Sequence, residues 1–280
     1  LFIMSASPTP RQATVSRVQP APIIAIASGK GGVGKTWLAI TLACAWSGAG
    51  RRVLLVDCDV GLANVDVQLG IRPACDIHSI VRGWVELDAA VTPALGGPGH
   101  GPGFDLIAGH SGTGALASIR LDETGKISDG VRKLAPQYDR IILDLAAGID
   151  ANVQRFARGA DTLVIVTTEE PTALTDAYAL AKILRLNGAT VATSIVVNMA
   201  DNRLRGRRTY EQFAGACEQF LGYRPGLAGV ICRDPRVQES IRAQAPLCLR
   251  YPQSPAFEET LRVADALDNI ADGGARRTKS

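Results

Sequence analysis

Eight consecutive residues, Gly29-Lys30-Gly31-Gly32-Val33-Gly34-Lys35-Thr36, have the types and spacing that can wrap a phosphate chain. They match G-x-x-x-x-G-K-[ST] at every fixed position. Glycines let a backbone fold tightly enough for successive N–H groups to point at phosphate oxygens. Lys35 can reach the β- and γ-phosphates, and the Thr36 hydroxyl can ligate Mg²⁺. The chemistry on offer is binding of a nucleoside triphosphate, and Trp37 closes the same stretch. Three carboxylates follow. Asp57 and Asp59 end one apolar run, and Asp144 ends another. At the C-terminal edge of a parallel sheet, such groups lie beside the ligand site of α/β folds. Asp144 is placed to hold Mg²⁺ directly or through water. The plain reading of any one aspartate at a strand end is helix capping.

These residues need a scaffold, and the pattern of the chain supplies one. Strands are predicted over Ile23–Ala27, Val53–Val56, Phe104–Ile107, Arg140–Leu143, Thr162–Val166, Val191–Val197 and Leu227–Ile231. Most are continuous Val/Ile/Leu runs without period-two alternation, as strands buried on both faces require. Helices are predicted over Lys35–Ser47, Ile127–Leu134, Thr172–Leu186, Arg208–Leu221 and Pro235–Ala243. Alternation at this spacing predicts an α/β fold: a doubly wound, mostly parallel sheet flanked by helices, in a single domain. The predicted division is a flexible arm over 1–22, rich in Pro, Ser and Thr, a globular body over 23–272, and a basic tail over 273–280. Gly96–Gly103 reads as a surface loop.

Composition narrows the function classes. Apolar residues make up 46% of the 280 and charged residues 20%, enough for a real core. No run approaches the roughly 20 apolar residues of a membrane-spanning helix. The first residues do not read as a signal peptide. The six cysteines form no CxxC pair, which argues against a zinc site and fits a reducing cytoplasm. Arg11, Arg17, Arg276, Arg277 and Lys279 supply the net charge of +3, so the body is about neutral. A strongly basic nucleic-acid-binding domain is not indicated.

KGGVGKT (30–36) resembles the deviant Walker A motif of the MinD/ParA class of P-loop (SIMIBI) ATPases. Alone, Lys30 reads as a solvated loop lysine. The resemblance implies that it reaches across an ATP-dependent homodimer to the partner's nucleotide. Residues 59–66 resemble the family's first switch, which implies that Asp59 contacts Mg²⁺ and orients the attacking water while Asp57 supports it. The second switch, Asp144–Asp150, contains Gly148 in a supporting place. It departs from pattern at Leu145, where the family commonly has a hydroxyl residue. That leaves open slow hydrolysis, or a scaffold without turnover. Asn198, Arg233 and Asp234 fall where the family contacts the adenine base; without the resemblance they read as ordinary loop polar residues.

Segments 61–73, 169–184, 196–213 and 232–256 are similar to the FlhG/FleN flagellar-number regulators. The implied function is an ATP-hydrolysing switch for flagellar number or placement. The implied partners are an FlhF-like GTPase and a flagellar transcription activator or basal-body protein, with recruitment to the cell pole or inner membrane surface. Gln12, Ala13 and Arg17 match part of an arm motif that stimulates the GTPase in such regulators, or match it by chance. Phe257, Leu261, Ala264 and Leu267 form one apolar helix face. Acidic neighbours make that helix read as packed on the domain, with membrane contact weak or absent. Arg203, Arg205, Arg207 and Arg208 read either as a DNA or partner surface or as a solvated helix start. The alternatives are a ParA-like partition ATPase and a MinD-like division-site or cellulose-operon relative.

Overall fold

Ile23–Ser28 forms β1 with every residue buried, because Ile23, Ala25 and Ala27 face one core and Ile24 and Ile26 face another. A continuous apolar run thus serves two layers at once. The computed structural model describes residues 20–59, 61, 63–95, 103–109 and 120–277, with side chains up to Ile270. The other strands are β2 (Val53–Cys58), β3 (Thr92–Pro93), β4 (Asp105–Ile107), β5 (Arg140–Ala147), β6 (Thr162–Thr167), β7 (Ala192–Ala200) and β8 (Gly226–Cys232). They form one sheet in the order β3-β4-β2-β5-β1-β6-β7-β8, parallel except for the β3–β4 pair. The fold is the doubly wound α/β sheet that the alternation predicts.

The described helices are α1 (Lys35–Gly48), α2 (Val65–Leu69), α3 (Ile77–Val81), α4 (Leu121–Leu134), α5 (Ala151–Gly159), α6 (Pro171–Leu186), α7 (Arg203–Leu221), α8 (Pro235–Arg242), α9 (Leu247–Arg250) and α10 (Pro255–Arg277). One core joins α4, α5, α6 and α7 to the sheet; the other joins α1, α9 and α10 to its opposite face.

Boundaries moved for identifiable reasons. Helix α7 begins at Arg203 rather than Arg208, because the Asn202 side chain accepts the Arg205 N–H and caps it. Helix α4 begins at Leu121 rather than Ile127, through Gly125 and Gly130, which weaken its helical signal. Gly125 lies against the Arg155 guanidinium and Gly130 against Leu87, so both are sites of close packing. Helix α5 escapes the periodicity because it is short; Asp150 caps it by accepting from Asn152 and Val153.

Ala21 is already buried and donates its N–H to the Ala135 carbonyl at 3.0 Å. The arm motif at Gln12, Ala13 and Arg17 lies outside the described residues, as do Lys279 and 96–102 of the expected loop. At the other end, α10 continues through Arg277, so Arg276 and Arg277 of the expected tail belong to it. This helix packs on α1 and β8. Ala264 and Leu267 are buried on its inner face and Phe257 is half-buried, but Leu261 is exposed. Val263, Ala256 and Thr260 complete that face. Asp268 anchors it by accepting from Arg140 at 2.6 and 2.8 Å and from Arg51 at 3.0 Å. Among the described residues no helix is long and apolar enough to cross a membrane.

Candidate functional site

Parallel strands place their C-terminal ends on one edge of the sheet, and the predicted residues converge there. Ser28 ends β1, Asp57 and Asp144 are paired in register on β2 and β5, Asn198 lies near the end of β7, and Arg233 follows β8. This is the edge where open α/β sheets bind ligands.

The loop from Gly29 to Gly34 connects β1 to α1, and its conformation depends on two glycines. Gly32 has φ +79° and Gly34 φ +91°, in the left-handed region that a side chain disfavours. Gly34 caps α1, and that 14-residue helix has no side-chain cap and no acid in its first turn. Its free N–H groups and positive end are therefore available to an anion. The Ser28 hydroxyl donates to the Lys30 carbonyl at 2.7 Å, and Gly148 (φ +110°) donates its N–H to the Ser28 carbonyl at 2.9 Å. The second switch is thus tied to the base of the loop.

Lys35, Asp57 and Asp144 are all buried. Burial lowers the Lys35 pKa, opposed by the nearby charges of Asp144 and Asp59. Burial raises Asp144 to about 7, opposed by a hydrogen bond from Thr36 and by Lys35. Burial raises Asp57 to about 8, reinforced by Asp144 and opposed by backbone N–H groups. Asp57 accepts from the N–H groups of Asp59 at 3.0 Å, Asn64 at 3.1 Å and Val65 at 3.2 Å. These three bonds tie the Asp57 carboxylate to the 59–65 segment. Val60 and Leu62 of the first switch lie outside the described residues. Asp144 differs: its Oδ1 is buried with no hydrogen-bond partner. An orphaned, desolvated carboxylate oxygen beside a lysine and a threonine hydroxyl suits a hard cation. Among the described residues no three His, Cys, Asp or Glu side chains form a metal cage, so a cation here would share its coordination with phosphate and water.

Leu145 packs in the apolar core with 1% exposure, and Asp144 is its neighbour on the site side. Strand alternation turns it away from the carboxylates.

A cavity of about 480 Å³ opens beside the loop, lined by Gly32, Gly34, Trp37, Asn198, Arg233 and Asp234. Its apolar wall comes from Met199, Ile231, Pro235, Val237 and Ile241, and Cys232 and Gln238 complete it. Sequence reasoning missed the α8 part of this wall; the half-buried Val237 and Ile241, spaced i, i+4, were the available signal. Asn198 is buried, with its Nδ2 donating to the Val33 carbonyl at 2.9 Å and its Oδ1 accepting from Met199 N–H at 2.9 Å. One amide hydrogen and one lone pair remain for a ligand. Asp234 caps α8 by accepting from Arg236 N–H, and Arg233 is exposed.

Lys30 is not among the residues that line this cavity. Its Nζ bonds Glu170 Oε2 at 2.7 Å and Thr172 Oγ1 at 3.0 Å, at the start of α6. The same lysine holds the Glu170 carboxylate below its usual range. Gly29 packs directly on the backbone of Asp176 in that helix, so any side chain there would collide. The 170–176 segment therefore fits the loop sterically as well as electrostatically.

The arginine cluster is divided. Arg203 pairs with Glu259 at 2.9 Å and Arg205 with Asp201 and Glu169, and all four arginines, Arg207 and Arg208 included, are exposed. Two of the four thus hold surface ion pairs within the chain.

The CobQ/CobB/MinD/ParA nucleotide binding domain model matches residues 24–247. Antiactivator FleN of Pseudomonas aeruginosa is 33% identical over 252 residues, 90% of this chain and 88% of that protein. The flagellum site-determining protein YlxH of Helicobacter pylori is 36% identical over 197 residues, 68% of this chain and 62% of that one. Among solved structures, the septum site-determining protein MinD of Pyrococcus horikoshii, complexed with Mg-ADP, superposes with a TM-score of 0.74 at 23% identity. That match covers 90% of this chain and 97% of the other, and shows the shared fold.

Proposed function

The chain belongs to the CobQ/CobB/MinD/ParA nucleotide-binding family and is an ATPase using ATP and Mg²⁺, and from that premise we propose that it is an ATP-dependent dimerisation switch regulating flagellar number or placement through partner proteins. The likeness to FleN along 90% of the chain carries this reading, since it extends far beyond the phosphate-binding residues.

The side chains support a division of labour. Bound Mg·ATP supplies the transferable phosphoryl group and the positive charge that screens it. The backbone N–H groups from Gly31 to Thr36 bind the phosphates, and Lys35 adds a fixed, poorly solvated cation. Thr36 and Asp144 hold the metal directly or through water; the orphaned Asp144 Oδ1 is the observation in favour. Asp59 orients the attacking water, and Asp57 keeps the first switch where Asp59 is needed. Gly148 links the second switch to the loop. The base occupies the cavity between Trp37, Asn198 and the Arg233-Asp234 turn.

Dimerisation requires Lys30 to leave Glu170 and Thr172 and enter the site of a second copy. The contact it gives up is an exposed ion pair, worth about 0–1 kcal/mol, so release is inexpensive. Six free cysteines are consistent with work in the cytoplasm. The partners in this reading are a GTPase of the FlhF type and a flagellar transcription activator or basal-body protein, met at the pole or inner membrane surface.

Complementation tests the function. Expressed in Pseudomonas aeruginosa lacking FleN, the chain is expected to restore flagellar number, and the Lys35→Ala variant to fail. Unchanged flagellation with the wild-type chain overturns the flagellar reading.

A further inference from the structure

We infer that Asn198 is a positioning residue for the phosphate-binding loop: its side-chain amide pins the Val33–Gly34 peptide in the phosphate-binding geometry, whatever contact it makes with the base. The inference rests on the nucleotide reading of the loop.

The supporting geometry is specific. Asn198 Nδ2 reaches across 165 residues of sequence to the Val33 carbonyl at 2.9 Å, in a buried contact. Its orientation follows from its neighbours, since the Val33 carbonyl can only accept and the Met199 N–H can only donate. The Met199 N–H that fixes the other end belongs to a residue with φ +53°, in the left-handed region. A non-glycine residue held there marks a backbone fixed by its surroundings. The Asn198 amide is therefore braced on the strand side and bonded to the loop on the other.

Planarity of the peptide converts that bond into a directional constraint. In a trans peptide the Val33 carbonyl and the Gly34 N–H point in opposite directions. Holding the carbonyl toward Asn198 turns the Gly34 N–H away from it. Gly34 also carries φ +91°, and its carbonyl accepts the Leu38 N–H at 3.0 Å as the first bond of α1. A methyl group on Gly34 would collide with Asn198 Nδ2, so the glycine is required by this approach as well as by its dihedral. A methyl group on Gly31 or Gly32 would meet nothing within 4 Å, so no neighbour crowds them as Asn198 crowds Gly34. The asparagine thus fixes the peptide that leads into Gly34, the residue that caps α1.

A base-free probe separates positioning from base reading. Asn198→Ala removes both bonds; Asn198→Asp keeps the acceptor for Met199 and loses the donor to Val33. Melting curves of the nucleotide-free variants confirm that they are folded. The first measurement is amide hydrogen exchange of nucleotide-free protein at Leu38, whose N–H is bonded to the Gly34 carbonyl. Both variants are expected to exchange about tenfold faster there, and unchanged exchange overturns the inference. The second is calorimetry with Mg·ATP and with Mg·tripolyphosphate, which lacks base and ribose. Both ligands are expected to weaken by the same factor, about tenfold. Loss of ATP affinity with tripolyphosphate affinity intact reduces Asn198 to a base contact and overturns positioning. If the wild-type chain binds neither ligand, the nucleotide reading fails, while the exchange data still decide whether Asn198 holds the loop.

Discussion

Asp57 and Asp144 face each other in register on adjacent parallel strands, each 1% exposed, yet only Asp57 has its oxygens filled by backbone N–H groups. The pair divides the work of the site. One carboxylate is spent on the first switch, and the other keeps an open oxygen beside Thr36 and Lys35.

That pair gives nucleotide-free protein a definite pH dependence. Both folded-state values, about 8 for Asp57 and about 7 for Asp144, lie above the ordinary 3.8. Between roughly pH 4 and 8 the folded state binds more protons than the unfolded state, so stability falls as pH rises. The melting temperature is expected to drop by about 5 °C from pH 5.5 to 8, and Asp57→Asn to flatten that slope. Scanning fluorimetry across the range checks it; a melting temperature that rises toward pH 8 refutes the sign. Adding Mg²⁺ and ATP at pH 8 is expected to recover the loss and release protons to the buffer.

Lys35→Ala is expected to weaken ATP binding by at least about 100-fold, because a fixed cation facing phosphates is worth several kcal/mol in a desolvated loop. Stability without nucleotide should stay within about 1 kcal/mol, since burial disfavours the charge of this lysine. Calorimetry with Mg·ATP is the measurement, and near-normal affinity in the variant contradicts the assignment.

The contact of Lys30 with Glu170 and Thr172 predicts opposite effects from its two ends. Lys30→Ala should abolish the ATP-dependent dimer, whereas Glu170→Ala should let it form at lower ATP concentration. Asp59→Ala should leave the dimer trapped. Light scattering with and without ATP reads all three, and a normal dimer in Lys30→Ala removes the cross-subunit role. The melting temperatures of the Lys30 and Glu170 variants should barely move, as suits an exposed pair.

Asp268→Ala tests the docking of α10. It strands Arg140, whose side chain is 7% exposed, without its carboxylate partner. A loss of about 3 kcal/mol is expected, or roughly 6–10 °C in melting temperature. An unchanged melting curve means that the helix is not held on the body.

The legible parts of this protein were those in which a short window of sequence carries its own geometry. The loop from Gly29 to Thr36 needs glycine dihedrals, a lysine and a hydroxyl, and all are adjacent in the chain. Runs such as Ile23–Ala27 announce buried parallel strands because both faces must be apolar. Helix α4 was half hidden because Gly125 and Gly130 answer to Arg155 and Leu87, which no local pattern reveals. Leu145 stands where the family commonly has a hydroxyl, and its burial in the core is set by the strand rather than by any local pattern.

By itself the sequence determined the phosphate-binding chemistry and the layered α/β scaffold, because backbone dihedrals and strand burial are local properties of residue type. The tertiary structure alone decided which aspartate is filled and which is open, where Lys30 rests, and what Asn198 holds. Those contacts span 140 and 165 residues and depend on the order in which strands lie side by side. Hydrogen bonds between distant segments are settled by that order, and nothing in a window around either partner specifies the other.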